Sequence, residues 1–256
     1  MNLIDTHTHL YLPEFDKDRQ SVVQNAFGAG IVKMLLPNID SGSVEGMLKL
    51  CSEYPDVFYP MMGLHPGSVG DTYINELENV RGLVLKGKYI AIGEIGIDLY
   101  WDKTYIKQQF IAFESQIELA LELNLPVVIH SRNSFAEIFS ILDKYTGTGL
   151  KGVFHSFTGG SAELEKINEL GFYTGINGIV TFKNSGLDKL VTSIPLNRIL
   201  LETDSPYLSP VPVRGKRNES LHLIYINDFL ARLFAHKPEH FAEITSENAR
   251  ELFKLC

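Results

Sequence analysis

The stretch Leu3-Ile4-Asp5-Thr6-His7-Thr8-His9 decides the fold, because a short apolar run leads directly into two histidines separated by one residue. Alternate residues of a strand point to the same face, so both imidazoles are expected to aim at one point. Two convergent imidazoles are a natural pair of metal ligands. Metal-binding residue types follow later apolar runs at Glu94, His130, His155 and Asp204. This recurrence predicts a metal site at one end of a parallel barrel.

Short apolar runs alternate with longer segments of helical periodicity along the whole chain. The runs are Leu3-Ile4, Val32 to Leu36, Val57 to Met62, Ile90 to Ile92, Val127 to Ile129, Gly152 to Phe154, Phe172 to Gly175, and Ile199 to Leu201. Near-continuous hydrophobicity is typical of strands buried on both faces. The clearest helix is predicted over Ile106 to Leu123, a capping box is predicted at Ser134 to Glu137, and a last helix is predicted over Pro238 to Leu255. Eight strand–helix units predict one (β/α)8 TIM barrel domain over residues 1–256.

The composition narrows the class of protein. The chain has 256 residues, of which 45% are hydrophobic, and this is enough for one large core. The net charge of −8 means that a nucleic-acid substrate would need a local basic patch. Cys51 and Cys256 form no disulfide framework, and we expect neither a leader nor a spanning helix. A cytoplasmic protein without a membrane partner is the expectation, and the oligomeric state is not predicted.

The working residues of such barrels lie at the carboxyl ends of the strands. Seven acid and histidine side chains, drawn from six strands, are expected to converge there. They are His7 and His9 after strand one, His65 after strand three, Glu94 after strand four, His130 after strand five, His155 after strand six and Asp204 after strand eight. A lone histidine beside a strand is more often a hydrogen-bonded structural group. Structural histidines would have no reason to follow successive strands, so the set favours a site.

The ligand chemistry favours two metal ions. Four imidazoles and two carboxylates are too many for one tetrahedral ion with an open position. They suit two divalent cations roughly 3.5–4 Å apart, with Glu94 as the natural bridge and a bridging water as nucleophile. Asp204 can bind one ion and accept the proton of that water, and His65 can donate to a substrate oxygen or leaving group. These ligands accept zinc, magnesium or manganese, so the sequence does not identify the metal.

Other polar residues near the predicted strand ends are expected to have structural roles rather than to bind metal. Asp5 and Glu202 are expected to hold the imidazole ligands in place from behind, and Asp98 is expected to brace a loop. His222, His236 and His240 lie in helix-like contexts and are expected on the surface.

A basic segment, Arg214-Gly215-Lys216-Arg217, lies in the predicted loop after the eighth strand. From charge alone, a solvated loop and a binding loop are equally good interpretations. Its position favours binding, because it would overhang the metal site, where guanidinium groups suit phosphate oxygens. Arg132 would face the same space, so Arg132, Arg214, Lys216 and Arg217 are the candidate substrate contacts. Candidates for stacking on nucleobases are Tyr100, Trp101 and Tyr207.

Eight motifs are spread over nearly the whole chain. They are Asp5-Thr6-His7-Thr8-His9-Leu10, Gly63-Leu64-His65-Pro66, Gly93-Glu94-Ile95-Gly96-Ile97-Asp98, His130-Ser131-Arg132, His155-Ser156-Phe157-Thr158-Gly159, Glu202-Thr203-Asp204-Ser205-Pro206-Tyr207-Leu208, Arg214-Gly215-Lys216-Arg217-Asn218-Glu219 and Thr245-Ser246-Glu247-Asn248. Through these motifs the chain resembles the TatD-type metal-dependent deoxyribonucleases nearly from end to end. The resemblance implies an amidohydrolase-type TIM barrel that hydrolyses DNA phosphodiesters. It further implies that one ion is held by His7, His9, Glu94 and Asp204 and the other by Glu94, His130 and His155.

Three functional hypotheses follow. The leading one is a two-metal 3′-5′ exonuclease acting on single-stranded or frayed 3′ ends of DNA. The second is an amide, lactone or ester hydrolase on the same scaffold, although Glu94 occupies the place of the carboxylated lysine that bridges the ions in many such enzymes. The third is a non-catalytic binding module whose metal is structural. Asn133 and Ser220 depart from the family pattern without touching a predicted ligand, and they leave the substrate preference open.

Overall fold

Within residues 1–255, which the computed structural model describes, eight parallel strands alternate with α-helices. The strands are β1 (Leu3–Asp5), β2 (Ile31–Pro37), β3 (Phe58–Met61), β4 (Ile92–Asp98), β5 (Val127–Arg132), β6 (Gly152–Phe154), β7 (Tyr173–Ile176) and β8 (Ile199–Leu201). The helices are α1 (Arg19–Gly28), α2 (Val44–Glu53), α3 (Tyr73–Val84), α4 (Ile106–Leu123), α5 (Phe135–Leu142), α6 (Ser161–Glu169), α7 (Leu187–Leu190), α8 (Leu223–Leu233) and α9 (Pro238–Phe253). Helix α4 begins and ends where its apolar stripe predicts.

The strands close into a barrel. Strands β1 to β3 pair in chain order, and so do β4 to β8. The two arcs join on one side through a parallel bridge between Met62 and Ile92. On the other side the backbone N–H of Thr6 donates to the carbonyl of Leu201 at 3.0 Å, immediately after β1 and at the end of β8. Closure therefore brings the carboxyl ends of the first and last strands side by side.

One end of the barrel interior is filled by a layer of apolar side chains. The layer takes one residue from each strand, or in the fourth case from just before it: Ile4, Leu35, Met61, Ala91, Val128, Val153, Tyr173 and Leu200. Leu252 and Phe253 of helix α9 pack against this layer. The hydroxyl of Ser246, also on α9, donates to the carbonyl of Asn2 at 2.8 Å, just before β1. Helix α9 thus closes the amino end, and the open mouth lies at the carboxyl end, where such barrels carry their sites.

Two strands run three or more residues further than the apolar runs predict. Strand β4 continues to Asp98 and β5 continues to Arg132, so Glu94 and His130 lie within strands rather than after them. Parallel pairing carries the ladder through these polar residues, because backbone hydrogen bonds do not depend on side-chain polarity. Gly96 permits the close approach of the two strands: its φ is +144°, and a Cβ there would lie 2.0 Å from the carbonyl oxygen of His130.

Contacts in the folded chain contradict two further predictions made from local sequence. The capping box does not form, because the hydroxyl of Ser134 donates to the carbonyl of Ile97 at 2.5 Å and so ties α5 to β4. His222 is buried rather than on the surface, and its Nδ1 lies 2.9 Å from Asn218 Oδ1. In the described part of the chain, helices of membrane-spanning length and hydrophobicity are absent.

Candidate metal centre

The first two imidazoles converge as the alternation predicts. His7 and His9 follow β1, both are buried, and their Nε2 atoms lie 3.2 Å apart. Barrel closure brings a carboxylate to them, because the N–H of Asp204 donates to the carbonyl of His7 at 2.9 Å. Asp204 Oδ1 lies 3.8 Å from His7 Nε2 and 3.6 Å from His9 Nε2.

Glu94 is the centre of the cluster, and only 3% of it is exposed. Its two oxygens face different imidazoles. Oε2 lies 3.1 Å from His7 Nε2 and 3.8 Å from His9 Nε2, and Oε1 lies 2.8 Å from His130 Nδ1, 3.0 Å from His155 Nε2 and 3.5 Å from His65 Nε2. One carboxylate therefore joins two groups of nitrogen atoms drawn from β5 and from the segments that follow β1, β3 and β6.

The hydrogen-bond network assigns the tautomer of His9. Tyr11 donates its hydroxyl proton to the carbonyl of Pro37 at 2.5 Å, so it accepts from Nδ1–H of His9 at 2.9 Å. The other nitrogen of His9, Nε2, then presents its lone pair to the centre. In His130 both nitrogens face carboxylates, because Nε2 lies 3.0 Å from Asp98 Oδ2 and Nδ1 lies 2.8 Å from Glu94 Oε1.

His65 carries the opposite assignment. Its Nδ1 accepts a hydrogen bond from the N–H of Gly67 at 2.9 Å, so Nδ1 carries the lone pair and Nε2 carries the hydrogen in the neutral ring. This hydrogen points toward Glu94 Oε1, 3.5 Å away. His65 is close enough to the centre to be counted among its possible metal-binding groups. Its tautomer suits it to donate a hydrogen bond rather than to bind an ion.

The nitrogen and oxygen atoms that face the centre, other than those of His65, are spaced like ligands of a divalent cation. His130 Nδ1 and Glu94 Oε1 lie 2.8 Å apart, which is close enough to need a proton or a cation between the two atoms. Around an ion with bonds of about 2.0–2.1 Å, tetrahedral ligand atoms lie roughly 3.3 Å apart. His7 Nε2 lies 3.2 Å from His9 Nε2 and 3.1 Å from Glu94 Oε2. These spacings suit ligands that share an ion.

Carboxylates support two of the imidazoles from behind, as expected for metal-binding histidines. Asp98 bonds to His130 and also accepts from the N–H of Tyr100 at 2.8 Å, so it both braces the loop and orients the ring. Glu202 Oε1 lies 3.3 Å from His155 Nδ1, which is an electrostatic contact rather than a well-directed hydrogen bond.

Asp5 has a different role from the one expected, since it contacts no imidazole. Its carboxylate accepts from the N–H of Thr203 at 2.9 Å and from the Thr203 hydroxyl at 2.6 Å. Thr203 follows β8, so Asp5 joins the first and last strands. It thereby fixes the backbone that carries both His7 and Asp204.

Burial and mutual charge set the ionisation of the cluster. Burial acts to raise the pKa of the Glu94 carboxyl, but the surrounding imidazoles, His155 first, hold this pKa well below its usual range. Burial and the charge of His155 lower the pKa of the His7 imidazole. Burial acts to lower the pKa of His155 too, but the carboxylates of Glu94 and Glu202 hold it well above its usual value. The central carboxylate therefore keeps its negative charge at neutral pH, as cation binding requires.

A cavity of about 740 Å³ opens over this centre at the carboxyl end of the barrel. His9, His65, Glu94, His130, His155 and Asp204 line it together with Arg132. Apolar and aromatic side chains also line the cavity: Ile39, Trp101, Ile179, Tyr207 and Leu208. The cavity thus combines the metal-binding groups with surfaces suited to a ligand that has both charged and apolar parts.

The basic residues after the eighth strand are not brought into this cavity, which departs from the prediction that they overhang it. The guanidinium of Arg217 forms salt bridges with Asp18 at 2.7 Å and with Glu219 at 2.9 Å. Arg214 lies over the ring of Phe182, 4.2 Å from its centroid, and Lys216 does not line the cavity. Arg217 pairs with acidic residues that flank helices, and a local charge pattern does not reveal such pairs. These ion pairs hold the loop away from the cavity. Arg132 is the cation of the four that lines the cavity.

Two positions that support the centre were missed from the sequence. Tyr11 continues the alternation of His7 and His9, so the spacing could have indicated it. Gly175 on β7 carries no such signal: a Cβ there would lie 2.5 Å from Glu202 Oε2 and 3.1 Å from the Cα of His155. A glycine is therefore needed for Glu202 to fit behind the imidazole.

The sequence profile of the family described as "TatD related DNase" matches residues 4–254. The chain belongs to the TatD family. As a TatD protein it is a metal-dependent hydrolase, which confirms the resemblance drawn from the motifs.

Similar TatD proteins cover the chain almost completely. It is 35% identical to "Uncharacterized metal-dependent hydrolase YabD" of Bacillus subtilis, over 99% of each chain. It is 33% identical to "3'-5' ssDNA/RNA exonuclease TatD" of Pantoea vagans, over 99% of this chain and 100% of that one. The crystal structure of YJJV, a TatD homologue from Escherichia coli, superposes with a TM-score of 0.89 at 28% identity, covering 99% of this chain and 98% of that one. This likeness confirms the predicted α/β barrel.

Proposed function

We propose that this TatD protein hydrolyses phosphodiester bonds at single-stranded or frayed 3′ ends of DNA, with two divalent cations at the metal centre. The observation that carries the proposal is that the two carboxylate oxygens of Glu94 face different imidazoles. One of its oxygens faces His7 and His9, and the other faces His130 and His155. A single bridging carboxylate between two sets of imidazoles is the ligand arrangement of a two-metal hydrolase.

Two sets of residues would bind the two cations beside the reacting phosphate. His7, His9, Glu94 and Asp204 would hold one cation, and Glu94, His130 and His155 the other. Bound divalent cations of this kind lower the pKa of water and stabilise the negative charge that develops on phosphate oxygens.

Asp204 is the proposed general base. Its carboxylate lines the cavity and is half-buried beside His7 and His9. Burial acts to raise the pKa of the Asp204 carboxyl, but the neighbouring imidazoles keep this pKa below its usual value. Asp204 is therefore ionised at neutral pH and able to accept the proton of the attacking water.

His65 and Arg132 are proposed to bind the phosphate. The assigned tautomer of His65 turns an N–H toward the centre, where it can donate to a phosphate oxygen or to the leaving oxygen. Arg132 lines the same cavity and supplies a guanidinium suited to phosphate. These local groups would attract an anionic strand end to a protein whose net charge is −8.

A strand end suits the cavity better than intact duplex does, because the scissile phosphate must reach a buried centre at the bottom of the barrel mouth. The name of the Pantoea vagans relative supports this polarity and this substrate. RNA is included in that name, so the test compares both nucleic acids.

The experiment uses metal-free protein with single-stranded and duplex oligonucleotides of DNA and RNA, labelled at either end, and restores zinc, magnesium and manganese in turn. We expect cleavage to return with a divalent cation and to shorten single strands one nucleotide at a time from the 3′ end. Hydrolysis of carboxylic esters without phosphodiester cleavage would favour the ester hydrolase instead. No cleavage of oligonucleotides or of carboxylic esters with any cation would contradict both enzymatic hypotheses.

A matched pair of variants tests the general base. Asp204→Asn should lose nearly all turnover, whereas Asp188→Asn, in helix α7 and away from the cavity, should retain it. If Asp204→Asn keeps full turnover, Asp204 is not the base. A collapse of the melting temperature without metal in Asp204→Asn would point to a structural role.

A further inference from the structure

Trp101 lies at the mouth of the barrel with most of its surface exposed to water. It is the single tryptophan of the chain, 76% of it is exposed, and it lines the cavity over the metal centre. An indole left in water forgoes the free energy that a large aromatic ring gains on burial. Its position beside a cavity therefore indicates a ligand that covers the ring.

The indole contacts two neighbouring side chains, Tyr100 and Arg132. Its ring meets the ring of Tyr100 edge-on, with the centroids 4.7 Å apart. The guanidinium of Arg132 lies 3.9 Å from the centroid of the Tyr100 ring and 5.2 Å from that of Trp101. Asp98 accepts from the N–H of Tyr100 through one oxygen and bonds to His130 through the other. One carboxylate thus links this aromatic pair to a metal-binding imidazole.

We propose that Trp101 is the stacking platform for an unpaired nucleobase next to the phosphate at the metal centre, with Arg132 close enough to attract the backbone of the same nucleotide. This inference rests on the proposed function and specifies its substrate. Every base has a π-face, so an indole platform accepts any sequence. A base inside a duplex is covered by its neighbours on both faces, so the platform selects strands that are unpaired at the end.

The chemistry of the surroundings favours a nucleobase over a protein partner as the occupant. Trp101 and Arg132 line the same cavity as the metal-binding groups, so whatever covers the indole is joined to what reaches the centre. A nucleotide offers both parts, a flat ring for the indole and a phosphate for the guanidinium and the cations.

Fluorescence tests the contact directly, because Trp101 is the chain's only tryptophan. The metal-loaded protein is titrated with deoxyadenosine 5′-monophosphate and with deoxyribose 5-phosphate, which lacks the base. We expect a saturable loss of fluorescence with the nucleotide and none with the sugar phosphate, even where the latter competes for the site. Equal quenching by both ligands, or by neither, would overturn the proposal. Free N-acetyltryptophanamide controls for absorption by the nucleotide.

Kinetics with abasic substrates supply the second readout. The preference for a normal oligonucleotide over one with abasic 3′ nucleotides, measured as a ratio of kcat/KM values, should fall roughly tenfold in Trp101→Ala. Trp101→Phe should restore most of that preference. Ile111→Ala, which removes another exposed apolar side chain from helix α4, is the matched control and should keep it.

The outcomes separate this inference from the proposed function. An unchanged preference in Trp101→Ala, with wild-type cleavage of oligonucleotides intact, would overturn the platform and leave the nuclease standing. Base-dependent quenching in a protein that cleaves no oligonucleotide would support the platform and refute the nuclease.

Discussion

Replacing Glu94 by glutamine should empty at least one of the two cation sites while the barrel remains folded. Glutamine fills the volume of the buried glutamate, but an amide NH₂ group has no lone pair to offer in place of the second oxygen. Because Oε1 and Oε2 face different groups of imidazoles, at least one group loses its anionic ligand. We therefore expect Glu94→Gln to bind one divalent ion per chain or none, where the proposal gives the native protein two.

The size of the effect follows from linkage. An ion present at 1,000 times its Kd stabilises a fold by about 4 kcal/mol. Unfolding entropy of about 2.1 cal/mol/K per residue gives roughly 0.5 kcal/mol/K for a chain of 256 residues. Losing one such ion should reduce the metal-induced rise in Tm by about 8 °C. Turnover should fall about a thousandfold, which corresponds to ~4 kcal/mol of transition-state stabilisation.

The assay compares metal content by mass spectrometry, Tm with and without added metal, and phosphodiester turnover. Glu118→Gln, an exposed change of the same chemistry on helix α4, is the matched control and should resemble the native protein in all three. Two ions retained in Glu94→Gln, with an unchanged metal-induced rise in Tm, would refute the bridging role of this carboxylate.

Three further predictions concern residues other than Glu94. Gly175→Ala should weaken metal affinity roughly 10- to 100-fold, because the added Cβ would displace the Glu202 carboxylate behind a metal-binding imidazole. A metal titration measures this affinity, and a native value would contradict the prediction. Arg217→Ala should lower Tm by about 2 °C and leave phosphodiester turnover unchanged, since the salt bridges of this partly exposed side chain lie away from the cavity. Burial raises the pKa of the Cys51 thiol to about 12, so its thiolate at pH 8 is roughly a thousandfold scarcer than for an ordinary thiol. Iodoacetamide should therefore label the Cys51 peptide slowly until the protein unfolds, and labelling as fast as that of glutathione would count against the burial.

The local pattern was sufficient for the barrel and for the residue types of the centre. All eight apolar runs overlap strands, because a strand buried on both faces must be apolar almost continuously. The polar continuations of β4 and β5 could not be predicted in this way. Their pairing depends on Gly96 lying against the backbone of His130, a contact between segments that are distant in the chain.

The orientation of the basic loop also could not be predicted from local sequence. Charge and position in the chain predicted that Arg217 would face the mouth, but its partner Asp18 lies 199 residues away. Only barrel closure places that acid within reach, and the ion pair then orients the guanidinium away from the cavity.

The sequence by itself determined the parallel barrel, the supply of imidazoles and carboxylates, and membership of the TatD family, because periodicity and residue type are local properties. The tertiary structure decided which nitrogen of each imidazole faces the centre and that the two oxygens of Glu94 face separate groups. It also decided that His65 is set to donate while His9 is set to accept. These assignments depend on hydrogen-bond partners such as Tyr11, Asp98 and Gly67, and only the folded chain fixes their orientation.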